Sequence, residues 1–178
     1  QLESFGISAF VAHEDIEPTK EWQTEIESAL ATMDALIALL TPGFKESNWC
    51  DQEVGVAIGR RLPIISIRQG LDPYGFIGKY QAVQGAGKKT PQLAKEIFDL
   101  FITNPVIGPK ITDALVKKLT ESYSFERSKT LIGYIKQSNF LNSKHSGAMK
   151  EAVKSNSQVN GSWGVPEQID QLAKQIES

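Results

Sequence analysis

The most informative part of the chain runs Ala35-Leu36-Ile37-Ala38-Leu39-Leu40, breaks at Thr41-Pro42-Gly43, and continues as Ser47-Asn48-Trp49-Cys50-Asp51-Gln52-Glu53. Six consecutive apolar residues are typical of a parallel strand that is covered on both faces. Proline and glycine then interrupt regular structure. Residues 48–60 carry apolar side chains at helical spacing, and Ser47 is the predicted N-cap of that helix. The pattern predicts a strand followed directly by a helix.

The same alternation extends to both sides of this unit. Upstream we predict a buried strand at 6–12, a loop at 13–20, and a helix from near Glu21 whose Trp22, Ile26 and Leu30 face the core. Downstream we predict a strand at 62–67 and a short edge strand at 80–83. The glycine-rich segment 85–89 lacks the spacing of a phosphate loop and is predicted to be a linker. Strands and helices in this order predict βαβ units around a parallel sheet.

Beyond residue 104 the pattern is helical only. Helices are predicted at 111–119, 125–135 and 149–153, with a last helix from Pro166. We therefore divide the chain into an α/β domain at 1–104 and an α-helical extension at 105–178.

Composition excludes several classes of partner. The 178 residues include 19 basic and 21 acidic side chains, so a net charge of −2 favours neither nucleic acid nor a membrane surface. The longest apolar run is far too short to cross a bilayer. A single cysteine and two histidines provide no ligand set for a metal site. We expect a soluble protein without a metal, a nucleic-acid partner or a membrane anchor.

Trp49 and Glu53 form the sharpest candidate site because residues four apart lie on one face of a helix. A carboxylate beside a ribose can bind its hydroxyls and stabilise an oxocarbenium-like transition state. An indole can stack on a flat or cationic ring. The alternative is structural: an exposed glutamate one turn beyond a half-buried tryptophan. Tyr74 and Phe76 also have two readings, since they either close over a ligand or anchor their own loop.

Two stretches resemble a known family. Phe10-Val11-Ala12-His13-Glu14-Asp15-Ile16, followed by Trp22-Gln23, is similar to the second strand, the BB loop and the second helix of bacterial TIR (Toll/interleukin-1 receptor-like) domains. Leu39-Leu40-Thr41-Pro42, continued to Trp49-Cys50 and Glu53, is similar to their third strand and third helix. Order and spacing agree across 5–67 and more loosely to about 103. The resemblance implies a flavodoxin-like parallel sheet with flanking helices.

The same resemblance implies an activity, which is cleavage of NAD at the nicotinamide–ribosyl bond. The products would be nicotinamide and ADP-ribose or a cyclic ADP-ribose, with NAD as the substrate and no cofactor. Glu53 takes the position of the family's catalytic glutamate and Trp49 that of the aromatic residue beside it. Phe10 and Asp15 would border the nucleotide, and the alternative for the loop at 13–20 is a solvated connection rich in turn formers. Self-association with other TIR domains, a cytoplasmic location and a role in bacterial defence or effector signalling are further implications.

One departure and two alternatives accompany this interpretation. The family's first strand and first helix precede the strand at residue 7, and here only residues 2–5 remain of them. We therefore expect the sequence to begin inside the domain, so that some pocket residues lie upstream. The first alternative is a non-catalytic TIR module that acts through assembly or as an adaptor. The second is another enzyme on a similar sheet, such as a nucleoside deoxyribosyltransferase-like protein.

Overall fold

A computed structural model describes residues 1–11 and 22–177. The chain packs as two compact units. We call residues 9–97 the sheet unit, and residues 1–8 with 98–178 the helical unit. The predicted domain division at 104/105 stays a prediction, because a division by packing does not test which segments fold independently.

The sheet unit has alternating helices and strands. In chain order its elements are α1 (Trp22–Thr32), β1 (Leu36–Leu40), a 3-10 helix (Pro42–Glu46), α2 (Cys50–Gly59), β2 (Ile64–Arg68), a 3-10 helix (Gly75–Ile77), β3 (Val83–Gln84) and the first part of α3 (Thr90–Ile102). The three strands are parallel in the order β1-β2-β3, with Leu36 opposite Ile64 and Ile67 opposite Val83. The predicted parallel α/β sheet with flanking helices is confirmed.

The core of this unit lies between β1 and α2. Ala38, Leu40, Val54 and Ile77 are buried there, and partly buried apolar side chains pack around them. Side chains alternate between the two faces of a strand, and β1 shows the consequence. Leu40 is 0% exposed, whereas its neighbour Leu39 is 46% exposed. The prediction that β1 is covered on both faces is therefore wrong for Leu39 within the described part of the chain.

The strand predicted at 6–12 is not observed. Residues 7–11 have no regular secondary structure, and residue 12 lies outside the described residues. A strand belongs to a sheet through a ladder of backbone hydrogen bonds, and the described sheet consists of β1, β2 and β3. Ile7 is buried, but Phe10 and Val11 are exposed. An apolar run is thus insufficient by itself to form a strand.

The start of α2 also differs from the prediction. The helix begins at Cys50, with Trp49 rather than Ser47 at the N-cap position. The Oγ of Ser47 instead accepts a hydrogen bond of 3.3 Å from the backbone N–H of Trp49. The 3-10 helix Pro42–Glu46 ends just before Ser47, whose hydroxyl bridges the connection to α2. The short edge strand lies at Val83–Gln84 and shares only Val83 with the predicted range 80–83.

The helical unit contains no strand in its described residues. Its elements are a 3-10 helix (Leu2–Phe5), the end of α3, α4 (Gly108–Thr120), α5 (Phe125–Ile135), α6 (Ser143–Ser155), α7 (Ser157–Asn160) and α8 (Val165–Glu177). Phe5 belongs to this unit because its ring stacks on Phe98 at 4.8 Å and contacts Tyr134 at 4.9 Å. Among the described helices, none is long and apolar enough to cross a membrane. The predicted helical extension is confirmed.

Candidate functional site

Trp49 and Glu53 lie one helical turn apart at the start of α2. The backbone N–H of Glu53 donates a hydrogen bond of 2.9 Å to the carbonyl oxygen of Trp49, which is the first helical i→i+4 bond here. Both residues are half-buried. The geometry that the four-residue spacing predicted is therefore present, and the carboxylate is neither deep in the core nor fully in solvent.

The electrostatic environment of Glu53 is unusual for a helix residue. Burial raises the pKa of its carboxyl above the ordinary value of 4.5. Within the described residues, no hydrogen-bond donor and no cation contacts its carboxylate. Half-buried carboxylates usually have such a partner, because desolvating an unpaired charge costs free energy. Glu53 is thus an unpaired negative charge, available to attract a positive group on a ligand.

Trp22 contacts Trp49, so that a second indole lies beside the first. The two ring centroids are 4.9 Å apart and the ring planes meet at 77°, an edge-to-face arrangement. Trp22 is the first residue of α1 and is 48% exposed, so its predicted place in the core is wrong. Ile26, one turn later, is buried instead. Helical spacing identified the correct face of α1, but Trp22 lies at the end of the helix.

Tyr74 anchors the loop after β2 to the first turn of α2. Its hydroxyl donates a hydrogen bond of 2.7 Å to Asp51. Lys45 Nζ lies 4.3 Å from the centre of the Tyr74 ring, and the Phe44 ring meets it edge-to-face at 6.4 Å. Burial, the hydrogen bond to Asp51 and the negative charge of Asp51 together raise the pKa of Tyr74 to about 12. The structure therefore supports the interpretation that Tyr74 anchors its own loop over the interpretation that it closes over a ligand.

The other candidate residues are less well placed. Phe10 is 44% exposed in an irregular segment, and within the described residues its ring contacts neither Trp22 nor Trp49. Asp15 lies outside the described residues, so its role stays a prediction, as does that of Phe10. Cys50 is a free thiol in the first turn of α2. In the described ranges, no group of three histidine, cysteine, aspartate or glutamate side chains is arranged to hold a metal ion.

Sequence reasoning missed two residues of this region. Trp22 was assigned to the core, although its position directly after the predicted 13–20 loop was a signal of an exposed helix end. The second is Asp51, whose hydrogen bond with Tyr74 joins residues 23 positions apart in the sequence. No local pattern predicts such a contact. The assembled region offers a carboxylate, two perpendicular indoles and an anchored loop, which suits a flat cationic ring attached to a sugar.

Comparison with known proteins agrees with this architecture. A family model of the TIR domain matches residues 1–96, which is more than half of the chain. No curated protein and no solved structure matches the chain. The matched range contains the parallel sheet, α1, α2 and both residues of the Trp49/Glu53 pair. The chain therefore belongs to the TIR domain family.

Proposed function

We propose that this protein cleaves NAD at the bond between nicotinamide and ribose. The observation that supports this most directly is the half-buried carboxylate of Glu53, unpaired among the described residues and one turn from Trp49. TIR domains include NAD-cleaving enzymes, and the spacing of these two residues resembles theirs. The Glu53 carboxylate lies beside the ribose, and Trp49 shapes the wall next to the nicotinamide ring.

The reaction breaks one carbon–nitrogen bond. The bonding electron pair leaves with the pyridinium nitrogen, which becomes neutral nicotinamide, and positive charge develops on the ribose as an oxocarbenium ion. Pyridinium is a good leaving group, so no general acid has to protonate it. The ionised carboxylate of Glu53 stabilises the developing cation, since opposite charges attract strongly where water is partly excluded.

The ribosyl cation is then captured by a nucleophile. Attack by water releases a proton to solvent and gives ADP-ribose, whereas attack by a nitrogen of the adenine gives a cyclic ADP-ribose. The activity requires Glu53 to be ionised. Because burial raises the pKa of Glu53, the rate falls on acidification at a pH above the ordinary value of 4.5.

A second candidate function is assembly without catalysis. Several large apolar side chains of the sheet unit are exposed, among them Leu39, Phe76 and Tyr80. Exposed apolar surface is suited to association with another protein domain. TIR–TIR association would cover such side chains in an adaptor as well as in an enzyme. This candidate predicts concentration-dependent assembly with no consumption of NAD.

One experiment separates the two candidates. The full chain is incubated with NAD at high protein concentration and with a crowding agent, while free nicotinamide and the ADP-ribose species are quantified. Glu53→Gln is expected to lower kcat by about 100-fold or more, the usual cost of removing a group that stabilises transition-state charge. Glu46→Gln is the matched control, because Glu46 is an exposed residue of the same unit.

Each outcome has a defined meaning. Turnover that Glu53→Gln abolishes and Glu46→Gln preserves supports the enzyme. Assembly in sedimentation experiments without any turnover favours the adaptor. Turnover that is insensitive to Glu53→Gln contradicts the assignment of Glu53.

A further inference from the structure

The Trp22–Trp49 pair is more than a packing contact, because neither indole is fully buried. Trp22 is 48% exposed and Trp49 is half-buried, although tryptophan is a large apolar side chain. Their planes meet at 77° with centroids 4.9 Å apart. Two nearly perpendicular rings form a corner, in which a third flat ring can lie on one indole face with its edge toward the other.

The position of this corner is held by the helices that carry it. Trp22 begins α1 and Trp49 immediately precedes α2. At the other end of α1, the guanidinium of Arg60 donates a hydrogen bond to the backbone carbonyl of Leu30, which ties the end of α2 to that of α1. The two helices are therefore linked at both ends, and the indole corner is formed before any ligand arrives. A preformed corner binds a ring with little loss of side-chain entropy.

The charges around the corner favour a cationic ring. The face of an indole carries negative electrostatic potential and attracts cations within about 6 Å of the ring centre. Glu53 is one helical turn beyond Trp49, and no described cation neutralises it. A neutral aromatic ring would gain the stacking contact alone. A positively charged one gains the stacking contact, the cation–π attraction and the attraction to Glu53.

We propose that Trp22 is a specificity-determining residue that, with Trp49, selects the oxidised, cationic nicotinamide ring of NAD over the neutral dihydronicotinamide ring of NADH. This inference rests on the proposed function, because it assigns a ring subsite within the same site. Trp22 stabilises the positive charge that the pyridinium carries before the bond breaks. Bond cleavage removes this charge from the ring, so Trp22 contributes to substrate binding and does not stabilise the transition state further.

The test compares three probes that differ only at the ring. Oxidised NAD carries the cation, NADH carries the neutral ring, and ADP-ribose carries no ring. Their dissociation constants are measured by calorimetry with Glu53→Gln protein, which prevents turnover, and again after adding Trp22→Leu or Trp22→Phe. Trp163→Leu is the matched control, because Trp163 is 88% exposed in the helical unit.

The expected change in the dissociation constants follows from the loss of the cation–π attraction. Trp22→Leu is expected to weaken binding of oxidised NAD by about 3- to 30-fold, with a smaller change for NADH. ADP-ribose should change by less than about 2-fold, since it makes no ring contact. Trp22→Phe retains an aromatic face and is expected to lie between wild type and Trp22→Leu. In the otherwise wild-type chain, Trp22→Leu should raise KM for NAD without lowering kcat, because the lost interaction is made with the cationic ring before the bond breaks.

The outcomes distinguish this inference from the proposed function. NAD cleavage by wild type, with Trp22→Leu weakening all three probes equally or none of them, overturns the role of Trp22 and leaves the enzyme assignment intact. Selective weakening of oxidised NAD in a protein that never cleaves it supports the ring subsite and contradicts the catalytic proposal. If Trp22→Leu does not fold, Trp22→Phe decides, and an unchanged preference between NAD and NADH in that variant overturns the inference.

Discussion

Replacing Tyr74 with phenylalanine isolates the hydrogen bond that anchors the loop after β2 to α2. The substitution removes only the hydroxyl that donates to Asp51 over 2.7 Å. The ring remains, so the contacts with Lys45 and Phe44 are kept. Any loss of stability therefore reports on the hydrogen bond and not on packing.

The pKa of Tyr74 sets an upper bound for this loss. Its rise from 10.0 to about 12 corresponds, at about 1.4 kcal/mol per pH unit, to about 3 kcal/mol. Solvent reaches the partly exposed phenol and the exposed Asp51, however, and screens their interaction. We expect Tyr74→Phe to lower the free energy of unfolding by about 1 kcal/mol.

The sign of the pH dependence follows from the direction of the shift. The folded state raises the pKa of Tyr74, so the stabilisation is complete below the ordinary pKa of 10.0 and is lost as the pH rises to about 12. Urea unfolding of Tyr74→Phe and wild type at several pH values from about 8 upward measures this window. The difference between the two proteins should be constant up to about pH 10 and shrink above it.

Tyr80→Phe provides the control for the same chemical change. Tyr80 is an exposed residue of the sheet unit whose ring lies under Lys79 Nζ, and none of the described residues hydrogen-bonds its hydroxyl. Removing the Tyr80 hydroxyl should leave the free energy of unfolding within about 0.5 kcal/mol of wild type. The reasoning is refuted if Tyr74→Phe is no less stable than Tyr80→Phe, or if its deficit does not decline in alkali.

Three further predictions address burial and packing. Glu53→Gln should be more stable than wild type near neutral pH, because burial raises the pKa of the carboxyl and its ionisation therefore opposes folding. The gain in urea midpoint should vanish below the ordinary pKa of 4.5. A variant that is less stable than wild type at neutral pH would contradict the conclusion that the Glu53 charge is unpaired. Leu40→Ala should cost about 2–5 kcal/mol in urea unfolding and Leu39→Ala less than about 1, so equal losses would contradict the observed alternation. Gly108→Ala should lower the melting temperature, because an added Cβ would lie 2.3 Å from a phenylalanine ring carbon. Gly133→Ala should raise stability by about 0.4–1 kcal/mol, because its added Cβ would have nothing within 4 Å. Stability changes of the same sign in both variants would refute the packing argument.

The accuracy of the sequence predictions depended on the range of the interactions involved. Residues 125–135 were predicted as a helix with the bounds that the structure gives to α5, since Ser124 caps the helix locally by accepting a hydrogen bond from the Arg127 N–H. The predicted strand at 6–12 failed because strand formation requires a distant partner that no local pattern reveals. Helix α7 was missed altogether, since four residues are too few to show a periodicity.

The sequence by itself determined the alternation of helices and strands from α1 to β2, the parallel sheet, and the four-residue spacing that brings Trp49 and Glu53 onto one face of a helix. These features depend on side-chain periodicity and on neighbours within a few residues. Only the tertiary structure decided that Trp22 meets Trp49, that Tyr74 binds Asp51, and that the Glu53 carboxylate is half-buried without a described partner. Such contacts join residues 23 or more positions apart, where burial and pairing are set by how whole elements pack and not by the local sequence.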